Sequence, residues 1–334
     1  LLIITINKGV INMNNFKKIG LSALAGSLVA VSAQAADISL SGGASVAFTS
    51  AFDGDKTGYY MNDSITATVS GETDGGLTIT TSLEMDGGAN ASSSFDNRSL
   101  KIASDGMGTV TFAGHGGSSV IGGWDDKMPT AYEEVFALTK NQTDATTNAG
   151  NIVIAGASGD NLWRYDSPSF EGVSIHAAYQ SANATTGRVS SYSDMGIQIA
   201  PSAVEGLTAG YAVGEFDESA TVAIDVSTMW VTYAYGSFTV GYQSSENDGS
   251  TAATTDESDS WAVSYAVSDD LSISYGNHEY EAGTDTDIQE SSGFSASYTS
   301  GGASIKAAFN STDNIRNEAT DDEDSCEIAI SFAF

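Results

Sequence analysis

One cysteine, Cys326, in 334 residues excludes an internal disulfide. Positive charge is almost as scarce: 12 lysines and arginines stand against 43 aspartates and glutamates, and Lys8, Lys17 and Lys18 all precede residue 36. So acidic a chain repels nucleic acid and anionic surfaces and attracts divalent cations and cationic solutes. After Val31 there is no run of roughly 18 apolar residues, so no later segment could cross a bilayer as a helix. The histidines His115, His176 and His278 lie on separate segments without metal-ligand spacing. No elbow motif frames a serine with histidine and aspartate. Gly114-His115-Gly116-Gly117 lacks the Lys-Ser or Lys-Thr that would make it a phosphate cradle. An enzyme is therefore not expected.

Residues 1–35 read as a leader. Met13 starts a signal with Lys17 and Lys18, an apolar run from Ile19 to Val31 and the small-x-small site Ala33-Gln34-Ala35, while residues 1–12 read as an upstream extension. Export and a mature domain at 36–334 are the expectation. Within it, 36 glycines, 3 prolines and abundant serine, threonine, aspartate and asparagine suit many short strands joined by turns.

The strands announce themselves by period two. In CEIAISFAF, Cys326, Ile328, Ile330, Phe332 and Phe334 share one parity, while Glu327, Ala329 and Ser331 share the other. The same apolar stripe recurs in about sixteen segments. Met229, Val231 and Tyr233 turn at Gly236-Ser237 into Phe238, Val240 and Tyr242, and Phe294, Ala296 and Tyr298 turn at Ser300-Gly301-Gly302 into Ile305, Ala307 and Phe309. Every second connection is short. The others carry acidic runs such as 246–260, 281–290 and 312–324. Tyr59, Tyr60, Trp163, Tyr211, Trp261 and Tyr280 fall near strand ends, where an interfacial girdle belongs. A closed antiparallel barrel is the one sheet able to span a bilayer, because hydrocarbon offers an open edge no partner. A soluble sandwich shows the same alternation, so an exported acidic β-rich surface protein or adhesin that binds and does not conduct is the alternative.

From His115 to about Asp160 the alternation breaks, a connection too long to be an ordinary turn. Here the chain resembles the general diffusion porins of Gram-negative outer membranes, in their small sixteen-stranded form. The residues that carry the likeness are SLKIASDGMGTVTFAGHG at 99–116, WDDKMP at 124–129, LWRYDSPSFEGVSIHAAY at 162–179, SGETDGGL at 70–77 and Phe334. The resemblance implies an all-β up-and-down barrel of about 16 strands whose long third loop folds into the lumen. It also implies a homotrimer in the outer membrane, in contact with lipid and lipopolysaccharide, that passes small hydrophilic solutes.

By the same likeness Asp125, Asp126, Glu133 and Glu134 supply the acidic side of a constriction. Arg164, Lys101, Arg98 and His115 supply the basic side. Arg164 lies between outward Trp163 and Tyr165 and so points inward, as does Lys101 between Leu100 and Ile102, whereas Arg98 has the parity of Leu100 and faces outward unless a bulge intervenes. Thr66 stands near a family arginine position on the second strand. An excess of acids in a narrow neck favours cations over anions, so weak cation selectivity is expected. No cofactor is required. The acidic outer loops offer oxygens to Ca2+ or Mg2+, although none has the EF-hand order and solvated charge explains them equally well.

Overall fold

The computed structural model describes residues 36–51, 58–86, 95–138, 153–182, 191–219, 222–249, 255–283 and 285–334. The leader expected at 1–35 lies outside them. Strands β1 Asp37–Ala51, β2 Gly58–Glu72, β3 Thr78–Asp86, β4 Asn97–Ser104 and β5 Gly108–His115 come first. After the insertion follow β8 Leu162–Asp166, β9 Val173–Gln180, β10 Ser191–Ile199, β11 Leu207–Ser219, β12 Val222–Tyr235 and β13 Phe238–Asp248. Then come β14 Asp256–Ala266, β15 Leu271–Ala282, β16 Gln289–Ser300, β17 Ala303–Asp313 and β18 Glu323–Ala333. These sixteen form one closed antiparallel barrel in chain order, with β1 sealed to β18. Inside the insertion a short ribbon pairs β6 Gly117–Ser118 with β7 Ser158–Gly159.

The apolar parity points out. On β18, Ile328, Ile330 and Phe332 are about half exposed, at 47%, 55% and 56%, while Glu327 and Ala329 beside them are buried at 1% and 2%. A water-soluble sandwich would reverse this, because apolar surface left in water is unfavourable by roughly 25 cal/mol per Å². The outward stripe is stable when hydrocarbon covers it, and closure leaves no edge for lipid to strand. Tight turns fix the register: Gly236 between β12 and β13 (φ +61°) and Gly301 between β16 and β17 (φ +63°) hold the left-handed backbone that such turns need.

Two expectations from the sequence need correction. Tyr60 and Tyr280 do not join the girdle: Tyr60 points inward to Glu327, and Tyr280 is 7% exposed and packs against Ile154 of the insertion. Each sits on the lumen parity of its strand, which position near a strand end does not reveal. The acidic stretches expected to be loops are in large part strand. β13 continues through Asp248 and β14 begins at Asp256, and Glu281, Glu290, Asp313 and Glu323 are likewise paired. Their alternation with serine and threonine keeps period two while replacing apolar outward residues by acids.

The result is a rim of carboxylates on the outside of β11–β17. Asp225 lies directly opposite both Glu215 and Asp248, Glu257 opposite Glu246 and Glu281, and Glu279 opposite Asp259 and Glu290. Cross-strand like charges repel, so this band calls for counter-ions.

Candidate pore constriction

The insertion is a strap across the lumen. It leaves the wall where β5 ends, and the ribbon of β6 and β7 ties its outgoing and returning arms together. Its root is apolar: Val120, Ile121 and Trp124 pack with Ala157, Leu162, Tyr192, Val226 and Trp230 in a dry cluster on the inner wall. Trp124 meets the Trp230 and His176 rings edge-on, with centroids 5.6 and 5.4 Å apart. Glycine at 196 opens the room, since a Cβ there would lie 2.8 Å from the Trp124 ring.

Beyond the root the strap is hydrogen-bonded along one half of the barrel. Ile121 N–H donates to Asp194 of β10 at 2.8 Å, Lys127 N–H to Gln243 of β13 at 2.7 Å, and Ala131 N–H to Ser274 of β15 at 2.9 Å. Tyr132 N–H donates to Ser295 of β16 at 3.0 Å, and Asn310 of β17 donates to the Glu134 carbonyl at 3.0 Å. The Tyr132 hydroxyl donates to Glu327 of β18, whose other oxygen accepts from Tyr60 of β2 at 2.7 Å. Asp194, Gln243, Ser274, Ser295, Asn310 and Glu327, which make these bonds, are all buried. These inward polar side chains of β10, β13 and β15–β18 are thus spent on the strap. Across the lumen, Asn62 and Lys101 remain exposed, so the open passage runs between the strap and β2–β5.

All four predicted acids ride on the strap. Asp125 and Asp126 accept from the backbone N–H groups of Asp126 (3.0 Å) and Met128 (2.9 Å). Burial raises the Asp126 carboxyl to about 7; the Met128 N–H opposes the rise, while the charge of Glu134 and a hydrogen bond with it add to it. Burial also raises Asp125 and Glu133, and the neighbouring charge of Glu134 acts in the same direction on both.

The predicted bases separate into three places. Lys101 and Arg164 belong to one row of the inner wall, with Thr111 paired to each. Arg164 also fastens the root: Nη1 donates to the Ser119 carbonyl at 2.8 Å and Nε to Asp166 at 3.0 Å. Glycine at 123 leaves that guanidinium its place, because a Cβ there would lie 3.0 Å from Nη1 and press it aside. His115 stands at the root, bonded to Asp160. Gly114 is the extra residue of a bulge that brings His115 opposite Arg98, and the Arg98 guanidinium lies across Gly114, donating to its carbonyl at 3.4 Å. Arg98 keeps the outward parity of Leu83 and Leu100.

Four charged residues near the passage were not singled out in this role from sequence. Lys127 follows the two acids directly; burial lowers its ammonium pKa, with Asp125 opposing the shift and the charge of Arg164 adding to it. Lys306 of β17 holds its Nζ 5.1 Å from the Tyr132 ring centre, Glu327 anchors the strap's far end, and Glu84 is the direct partner of Thr66 on the uncovered wall. Inward parity was the available signal for Lys306, Glu327 and Glu84. Among the described residues no three carboxylate, imidazole or thiol groups converge as a metal cage.

A closed barrel with a greasy exterior, a polar interior and a strap across its lumen defines a transmembrane pore protein. The sequence profile of the Gram-negative porins matches residues 20–314, and the chain belongs to that family. It is a passive diffusion channel of the outer membrane and not an enzyme. Solved structures of similar fold include a mutant of the Rh. blastica porin, with TM-score 0.63, 16% identity and coverage of 89% of this chain and 100% of that one. The anion-selective porin from Comamonas acidovorans gives 0.63 at 14% identity, over 90% and 100% of the two chains. In-vitro folded OmpT, an outer membrane protein of Vibrio cholerae, gives 0.66 at 13% identity, over 91% and 99%. At these identities the likeness is one of fold. No curated protein matches the sequence.

Proposed function

We propose that the strap is the neck of a weakly cation-selective pore for ions and small hydrophilic solutes. The observation that carries this reading is the charge balance at the passage. Asp125, Asp126, Glu133 and Glu134 on the strap and the inward Glu84 of the uncovered wall make five acids near the passage, set among the described residues against four bases: Lys101, Lys127, Lys306 and the partly engaged Arg164. In a narrow, partly dehydrated opening this imbalance lowers the barrier for cations relative to anions. Reversal potentials in a KCl gradient test it. A potential of the cation-selective sign is expected, and one of the anion-selective sign overturns the reading.

The assembly we propose is a homotrimer joined through β1–β5. Support comes from Asp63 and Arg98, both exposed and on the outward parity amid apolar neighbours, where a protein partner suits a charge better than hydrocarbon does. Native mass measurement in mild detergent should give three chains. The carboxylate rim on β11–β17 would hold Ca2+ or Mg2+ diffusely and, through them, the phosphates of neighbouring lipopolysaccharide.

A further inference from the structure

Gln243 stands on the lumen parity of β13 and is 4% exposed. Its one amide serves both a donor and acceptors of the strap backbone where the acids are carried. Oε1 accepts from Lys127 N–H at 2.7 Å, and Nε2 donates to the Trp124 carbonyl at 2.5 Å and less closely, at 3.3 Å, to that of Asp125. This is the two-bond exchange that a strand makes with its neighbour, supplied by a side chain. The amide is itself fixed, because Nε2 also donates to Thr228 Oγ1 at 3.0 Å and Thr228 shares a hydrogen bond with Ser245 at 2.8 Å. Two residues earlier on the same face, Gly241 leaves the space that Met128 and Pro129 fill; a Cβ there would lie 2.6 Å from the proline ring.

Residues 124–129 are therefore seated on β13 by a bracket and a gap, and the seat fixes the strand of backbone from which Asp125 and Asp126 project. We infer that Gln243 is a positioning residue for ion selectivity: through the backbone of 124–127 it holds Asp125 and Asp126 toward the passage, although its own side chain touches no permeating ion. The inference rests on the reading of the strap as the neck and identifies what aims its charge.

The test compares reversal potentials of the full-length protein in planar bilayers with and without the bracket. Gln243→Leu removes both halves of the amide, and Asp125→Asn with Asp126→Asn removes the charges it aims. If the bracket acts through these acids, Gln243→Leu should forfeit about half or more of the selectivity shift that the double acid variant forfeits, and should add nothing in that variant's background, since residues acting through one another are not additive. Heat-modifiable migration in detergent gels verifies closure of each barrel. Should Gln243→Leu not fold, Gly241→Val disturbs the same seat from the Pro129 side and is expected to give the same non-additive loss. A Gln243→Leu channel with unchanged reversal potential, beside a double acid variant whose potential moves, overturns the positioning role and leaves the neck intact. A shift that persists undiminished in the acid-free background also overturns it. If the double acid variant itself does not move, the neck fails and the positioning role fails with it.

Discussion

Lys101 and Arg164 are separated by a single strand, each paired directly with Thr111 on the inner face of β5, which sets their backbones about 10 Å apart. They share a row but not a duty. Lys101 is exposed, whereas Arg164 is bonded to Asp166 and to the strap. Lys101→Gln should therefore raise the cation-to-anion permeability ratio and leave folding unchanged. Arg164→Gln should do both kinds of damage, with a stability loss of about 1.5–3 kcal/mol from the charged hydrogen bonds. Reversal potentials and the boiling transition on gels separate the two outcomes.

Selectivity should also depend on pH in a window displaced from that of ordinary carboxylates. With Asp126 raised to about 7, the neck carries less negative charge at pH 6 than at pH 8. Cation preference is expected to rise across that interval, and Asp126→Asn should flatten the rise. The linkage has a definite sign: an acid that holds its proton more tightly when folded makes the strap progressively less stable as pH climbs from the usual aspartate range through about 7.

Glu327 ties the strap's far end to two strands through the hydroxyls of Tyr132 and Tyr60. Glu327→Ala leaves both phenols without that acceptor and should increase single-channel noise and mean conductance, because the tip loses its hold on the wall. Glu327→Gln keeps an acceptor and should restore a steadier current. Equal noise in the two variants would count against the tether.

The carboxylate rim predicts a divalent-cation effect on stability. Each directly opposed pair, such as Asp225 with Glu215 or Glu257 with Glu281, is unfavourable by roughly 0.2–1 kcal/mol when uncompensated. Millimolar Mg2+ should raise the temperature at which the folded band disappears from gels, and EDTA should lower it. Replacing Asp225 and Glu257 by their amides should shrink the difference between the two conditions.

What could be read from sequence followed the reach of each interaction. Period two is local, so Arg164 between Trp163 and Tyr165, or Ile330 between Ala329 and Ser331, reveals its side of the wall without knowledge of any partner. The same rule supplied the outward direction of Arg98. It did not reveal that Gly114 would bulge, bringing His115 opposite Arg98 where it bonds Asp160 at the strap's root, because a bulge is a matter of pairing between strands. Gln243, Ser274, Ser295, Asn310 and Glu327 look like ordinary wet lining residues in the chain. Their hydrogen bonds to the strap depend on a contact across the barrel's interior, for which neither spacing nor composition gives a sign.

The seam also constrains the order of events in assembly. Gly42 and Phe334 exchange both backbone hydrogen bonds, at 3.0 and 2.9 Å, so the ring is completed by residues from opposite extremes of the domain. Until β18 has been delivered, β1 has no mate on that side and β17 none on its own. Insertion segment by segment would strand those amides in hydrocarbon, at several kcal/mol for each unmet group. The sheet must therefore hold its final curvature, or be chaperoned in it, before it yields to the bilayer.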